Sequence, residues 1–265
     1  MKNLKRYKLN VLQSPIDYRD LRYETVVAEQ DFPKTLDLRS NLFGVRDQGY
    51  QGSCAAMSAS TCKDWQERLD SEITEYTSPQ FIYYNREDRS SEGMYMRDLM
   101  KIMKNQGVCL ESMHKYGNKK KPTVKAYTAA EDFVIENYAQ ISTMNGLKAA
   151  LYRNGPCIIA VPVYNYGPHI WHQEPGQDML GGHAMTIVGY TEAGYIIRNS
   201  WGNAWEGNGH VVFPYEHWGE QWEVWSTVDS ERDVDPVPPE PGKKGCLGRI
   251  FAIAGLIILP LLLLL

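Results

Sequence analysis

Gln48-Gly49-Tyr50-Gln51-Gly52-Ser53-Cys54-Ala55 is a glycine-punctuated loop that leads straight into a stretch of helical pattern. The stretch Cys54–Leu69 (CAAMSASTCKDWQERL) carries small and apolar residues at helical spacing, so the helix begins near Cys54. A cysteine at a helix N-terminus sits among unpaired N–H groups, whose field favours the thiolate over the thiol. Those N–H groups, together with a side-chain amide donor such as Gln48, are able to hold an oxyanion. Taken alone, the same pattern also describes a small buried cysteine.

Working outward, two textures follow each other along the chain. SPQFIYYNRED opens with a Ser-Pro helix-start signal and MYMRDLMKIMKNQG closes on glycine, so residues 53–106 read as helical. CIIAVPVY, HAMTIVGY, GYIIRN, GHVVF and EVWSTV, between Cys157 and Val228, read as strands parted by glycine turns. NGLKAALYRNGP, ahead of them, reads as a short helix closed by Gly-Pro. Helices first and strands later predict an α+β protein of two packed subdomains with a cleft between them.

Two further motifs lie in the strand-rich part. Gly181-Gly182-His183-Ala184 puts a histidine after a glycine pair at the head of an apolar strand, and Arg198-Asn199-Ser200-Trp201-Gly202 puts an asparagine at the end of the next. A hairpin turning at Glu192–Gly194 would set His183 beside Asn199. His183 follows Cys54 by 129 positions (183 − 54) and Asn199 follows it by 145 (199 − 54). A Cys with His and Asn roughly 130–150 residues downstream is the spacing of papain-type cysteine peptidases.

On these motifs the chain resembles the papain-like (C1) cysteine peptidase family, and the likeness extends from about Leu36 to Val228. Leu36-Asp37-Leu38-Arg39 and Val45-Arg46-Asp47-Gln48-Gly49 are similar to the mature N-terminal segment of that family. Phe81-Ile82-Tyr83-Tyr84-Asn85, Gly107-Val108-Cys109-Leu110-Glu111 and Phe213-Pro214-Tyr215-Glu216 are similar to its compact, prosegment-poor branch in microbes and large viruses. The resemblance implies a two-lobed fold and a thiol peptidase acting on peptides or proteins. Cys54 would be the nucleophile, His183 the general base and acid, and Asn199 the group that orients the imidazole. Trp201 would shield that bond, and Gln48 would join the Cys54 N–H in stabilising the oxyanion. Gln51 and Ala55 depart from the family, which usually has a cysteine and an aromatic there. Loss of that cysteine fits a compartment in which thiols stay reduced. Two other readings stand beside the peptidase: an inactive, membrane-tethered binding protein of the same fold, and a thiol acyl-transferase.

Composition narrows the field around this reading. The chain has 265 residues, a net charge of −4, and 11% aromatic residues, which excludes a wholly disordered chain and argues against a nucleic-acid partner. Cys62, Cys109 and Cys157 read as small buried hydrophobes, and the odd total of five cysteines does not suggest a disulfide scaffold. No phosphate-binding or dinucleotide motif occurs, so no cofactor is expected. His169 and His172 read as loop histidines rather than as metal ligands, and Lys119–Lys121 as a solvated loop.

The expected organisation is a lead segment over residues 1–35, a catalytic domain over 36–229, a proline-rich tether over 230–246 and a hydrophobic tail over 247–265. Within the domain, a helical lobe is expected over about 50–125 and a β lobe over about 126–229. The lead is too short for the long inhibitory prosegment of many relatives, leaving it to drape over the body or to form an exposed arm. Ile250–Leu265 is sixteen residues without a polar side chain, preceded by Lys243, Lys244 and Arg249. That is roughly 24 Å of helix against a hydrocarbon core of roughly 30 Å. The pattern predicts a C-terminal single-pass membrane anchor with the catalytic domain on the cytosolic side, or in a virion if the source is viral. Cys246, at the predicted membrane edge, is a palmitoylation candidate.

Overall fold

Helix α1, Cys54–Asp70, is the element around which the other parts are arranged. Every residue from Cys54 to Glu67 is buried, which no surface helix with one apolar stripe would show. The computed structural model describes residues 7–25 and 32–229 of the chain. On one side α1 meets α2, Pro79–Tyr84, and α3, Met96–Asn105. Ser78 caps α2 by accepting from Phe81 N, with Pro79 in the first turn where its missing N–H costs nothing. Met96, Leu99, Met100, Ile102 and Met103 are the buried stripe of α3. The short α4, Val124–Ala130, is capped by Thr123.

On its other side α1 packs on an antiparallel sheet. Its strands are β2 (Leu36–Asp37), β4 (Asn137–Ile141), β5 (Cys157–Val163), β6 (Gly181–Tyr190), β7 (Gly194–Arg198), β8 (His210–Pro214) and β9 (Glu223–Val228). They are ordered β4-β9-β5-β6-β7-β8, with β2 paired to the end of β6. β5 and β7 are buried at every position because helix α1 or loops cover one face and α5, Met144–Asn154, lies with the other core. Thr186 Oγ1 and Gln66 Nε2 join helix to sheet by donating to Ser58 O at 3.5 Å and Thr227 Oγ1 at 3.2 Å.

The α+β architecture and all five strands read from the sequence are present, and β2 and β4 are additions to the sheet. The sequence divides the lobes near residue 125, but α4 runs across that point. The tether, the apolar tail and Cys246 lie outside the described residues; among the described residues no helix is long and apolar enough to cross a membrane. Cys54, Cys62, Cys109 and Cys157 are free and buried.

The lead segment is where the expected organisation needs correction. Of the two courses open to it, residues 7–25 take the one over the body and not that of an exposed arm, and they are built into the domain instead of standing apart from it. Tyr7, Val11 and Tyr23 are buried in the domain core. Val11–Leu12 forms strand β1, parallel to β3 at Met94–Tyr95, and Asn10 bridges to Gly182 of β6. The segment therefore crosses from the helical lobe to the sheet, over the head of α1.

Candidate active site

The pairing of β6 with β7 places His183 and Asn199 side by side: His183 Nε2 and Asn199 Oδ1 are 2.8 Å apart. The backbone N–H of Ser200 donates to the same Oδ1 at 2.7 Å, which fixes that atom as the oxygen of the amide. The imidazole must therefore donate through Nε2. A neutral ring then carries its lone pair on Nδ1, the form a general base requires. Trp201 covers the pair, its ring 4.7 Å from that of His183. Tyr7 stacks on the outer face of Trp201 at 4.8 Å and donates to its carbonyl at 2.9 Å.

Gln48 is oriented in the same manner. Its Oε1 accepts from Ser200 Oγ at 2.7 Å, so Nε2 is the donor end, and it donates to Gln51 O at 3.1 Å. Its backbone N–H donates to Ser200 O at 2.8 Å, and its carbonyl accepts from Tyr116 at 2.8 Å. Tyr116 is 2.6 Å from Ser53 Oγ, beside Cys54. Ser200 thus fixes both the Asn199 amide and the Gln48 amide, a double role the sequence motif contained but did not disclose. Tyr116 and Tyr7 were not foreseen at all; nothing in their local sequence marks them.

Cys54 begins α1 as expected, but its thiol is not the acidic group that the helix terminus alone would make. Burial raises its pKa, while the backbone amides of Ala184, Ala55, Asn10 and Cys54 act the other way. Burial likewise lowers His183 to about 4, against the smaller opposing effect of its bond to Asn199. Both residues have no exposed surface. Desolvation favours the neutral thiol and neutral imidazole over the expected ion pair. His183 Nδ1 is buried without a hydrogen-bond partner among the described residues, so the thiol and imidazole are not bonded to each other here.

Residues 8–12 account for this closure. The amide of Asn10 acts on the thiol, Lys8 O accepts from Gln48 Nε2 at 3.4 Å, and Val11 O lies against Gly182. A Cβ at Gly52 would come within 2.6 Å of Asn10 Nδ2, so the loop ahead of the nucleophile needs glycine for so close an approach. Lys8 is ion-paired with Glu92, and Glu92 also accepts from Asn10 Nδ2 at 3.3 Å. The nucleophile faces an amide N–H, and the carbonyl at Gln48 belongs to a residue two positions earlier.

The closed form has a pH dependence. A cleft that hydrates on opening returns His183 toward its ordinary pKa of 6.5, above the value of about 4 in the closed form. The open form then binds the proton more tightly, so closure is fully favoured above pH 6.5 and weakens as pH falls from 6.5 to 4. Hydrogen exchange of the amides of residues 8–12, corrected for intrinsic rate, is expected to lose protection over that window. Protection unchanged between pH 7.5 and 4.5 would contradict it.

His169 and His172 stand in a loop, as read. His172 Nδ1 is 2.9 Å from Glu220 Oε1, its ring stacks on His217 at 4.6 Å, and Trp171 Nε1 donates to His217 Nδ1 at 2.9 Å. His172, His217 and Glu220 offer donor atoms within 4.8 Å of one another. The Trp171 bond occupies Nδ1 of His217, and the contact with Glu220 occupies Nδ1 of His172.

Comparison with known proteins agrees with this geometry. The family described as papain family cysteine protease matches residues 32–224. An uncharacterized peptidase C1-like protein of Acanthamoeba polyphaga mimivirus is 29% identical over 205 residues, covering 64% of each chain. Cysteine proteinase 3 of Entamoeba histolytica is 26% identical over 197 residues, 68% of this chain and 62% of its own. The chain thus spans about three fifths of the length of these curated relatives. Among solved structures, xylellain, a cysteine protease from Xylella fastidiosa, superposes with a TM-score of 0.74 at 26% identity, covering 84% of this chain and 96% of that one. A digestive procathepsin L 3 of Tenebrio molitor shares the fold at a TM-score of 0.65 and 20% identity. With its cysteine at the head of the central helix, its His–Asn pair on the facing sheet and that match over most of its length, the chain belongs to the papain family of cysteine proteases.

Proposed function

We propose that the chain is a cysteine peptidase that hydrolyses peptide bonds through a thioacyl-enzyme on Cys54. The observation that carries this reading is the doubly fixed amide of Asn199, which leaves His183 Nδ1 as the basic nitrogen. In an open cleft, Nδ1 takes the thiol proton and the thiolate attacks the substrate carbonyl carbon. The resulting oxyanion is held by Gln48 Nε2 and the N–H of Cys54. Collapse expels the amine, which receives the proton from His183 and leaves the acyl group on sulfur. His183 then deprotonates a water that attacks the thioester, and the thiol is regenerated with release of the acid. Asn199 stabilises the imidazolium in both halves by accepting from Nε2. A neutral amide suffices because the thiolate already supplies the countercharge.

The membrane expectation remains part of the proposal: the run Ile250–Leu265 tethers this activity to a bilayer on its cytosolic face.

The enzyme reading is tested with the full chain, a thiol-directed epoxide probe and a panel of fluorogenic peptides, under conditions that open the cleft. Wild-type protein is expected to be labelled at Cys54 and to cleave peptides, and C54A to lose both. Cleavage by C54A, or labelling spread over other cysteines with no turnover, would overturn it.

A further inference from the structure

Beside the point where residues 8–10 enter the cleft lies a hollow of about 700 Å3, bounded by Tyr50, Gln51, Gln80, Tyr83, Tyr84 and the loop 86–92, with Lys119 across from it. Its lining combines three tyrosines with Arg86, Arg89 and Lys119 against the single carboxylate of Glu92, in a chain whose net charge is −4. The charges divide into those already committed and those that are not. Arg86 is spent on structure: it donates to Tyr83 O at 2.7 Å and to Ser91 O at 3.0 Å, with its guanidinium 3.9 Å above the Tyr83 ring. Glu92 is answered by Lys8 of the lead segment. Arg89 lies 4.9 Å over the Tyr84 ring, and among the described residues neither it nor Lys119 has a carboxylate partner. A contiguous smaller hollow adds Lys121 and Glu87, whose charges cancel. When the segment withdraws, Lys8 leaves with it. Arg86, Arg89 and Lys119 then face Glu92 alone, a surplus of two positive charges around the hollow, of which Arg89 and Lys119 have no carboxylate partner among the described residues.

A peptide following the course of residues 8–10 passes this opening, because Glu92 lines the hollow and also pairs with Lys8 and accepts from Asn10 Nδ2. We propose that the hollow is a substrate subsite for an acidic side chain, and that Arg89 and Lys119 select peptides bearing Asp or Glu on that flank of the scissile bond. The inference rests on the peptidase reading and adds a preference to it. Arg89 is suited to the task because its planar guanidinium, stacked on Tyr84, presents two parallel donors to a carboxylate at little cost in side-chain entropy. Lys119 supplies a second, mobile point charge. The tyrosines form an apolar bed for the methylenes of a Glu side chain. The hollow is partly open to water, so the selection is electrostatic and weakens with salt.

The experiment uses the full-length chain opened by K8A/V11D, with matched fluorogenic peptides in which a single Glu or Gln is moved through each position on both sides of the cleaved bond. At one position the Glu peptide is expected to exceed its Gln partner about tenfold in kcat/KM, as one charge-assisted pair would give. The ratio is expected to fall toward unity in 0.5 M salt, to invert in R89E/K119E, and to persist in R89K/K119R. Turnover with equal Glu and Gln rates at every position would overturn the subsite while leaving the peptidase reading intact. A preference that survives R89E/K119E would also overturn it. No turnover of any peptide would remove the peptidase reading and the subsite with it.

Discussion

In the full-length chain, K8A/V11D is expected to raise the rate of Cys54 labelling by an epoxide probe, and of peptide hydrolysis, by about 100-fold over the unaltered chain. The segment is held in the cleft by few contacts of calculable kind. Val11 is 2% exposed in the apolar cluster that also contains Cys54, Met94 and Ala184. A carboxylate at that position has no partner, and burying an unpaired polar group costs roughly 2–7 kcal/mol. Lys8 contributes an exposed ion pair with Glu92, worth under about 1 kcal/mol. At about 1.4 kcal/mol for each factor of ten, a combined loss of about 2.8 kcal/mol, inside that range, moves a closed cleft a hundredfold toward open. K8A alone is then expected to change the rate less than about fivefold, which separates apolar anchoring from charge pairing. Opening also restores water to the thiol and imidazole, so alkylation of Cys54 is expected to extend to lower pH in the double variant. Equal labelling rates in the double variant and the parent would show that residues 8–12 do not limit access to the thiol.

The parts of this molecule that could be read from its sequence are those encoded by local pattern or by fixed spacing. The helical span from Cys54, the strands from Cys157 onward and the hairpin bringing His183 to Asn199 all follow from periodicity and turn residues. Gln48, Cys54, His183 and Asn199 were singled out together because one Cys–His–Asn spacing made three weak motifs explain each other. The path of residues 7–12 left no comparable trace: β1 and β3 are each two residues long, too short for any alternation to register. The side chains beneath that path, Asn10 and Lys8, are polar and resemble those of any surface loop. Missing the path also reversed the expected acidity of the thiol. Helix-terminus amides do act on Cys54, but burial of the thiol outweighs them. Likewise, His172 and Glu220 are 48 positions apart and meet only because the sheet brings their two loops to one end. Arg89 and Lys119, at the mouth of the hollow, are ordinary surface residues until the loop 86–92 is folded back on Arg86.

The second large effect concerns stability rather than catalysis and comes from a charge inside α1. Lys63 is 1% exposed, and its ammonium donates to Glu67 at 2.7 Å, Asp229 at 2.8 Å and Val134 O at 2.8 Å. Three donors meet three acceptors, so the group is fully satisfied, and it ties the central helix to the start of the β4 region and to the end of β9. Replacing it with methionine keeps the stem's volume but leaves Glu67, whose side chain is 6% exposed, without a countercharge. Ser71 Oγ, 2.7 Å from Glu67 Oε2, offers only a neutral donor in return. Removing one member of a buried pair costs roughly 3–5 kcal/mol, whereas removing both is often close to neutral. Urea unfolding of K63M is therefore expected to show a lower midpoint at unchanged slope, equivalent to about 3–5 kcal/mol, and K63M/E67M is expected to recover more than half of that loss. Asp229 retains 13% exposure and a route to water, so its remaining charge does not set the outcome in the double variant. A loss below about 1 kcal/mol in K63M, or a double variant no more stable than the single one, would mean that the buried charges of α1 are compensated elsewhere and that the helix is held by its apolar contacts alone.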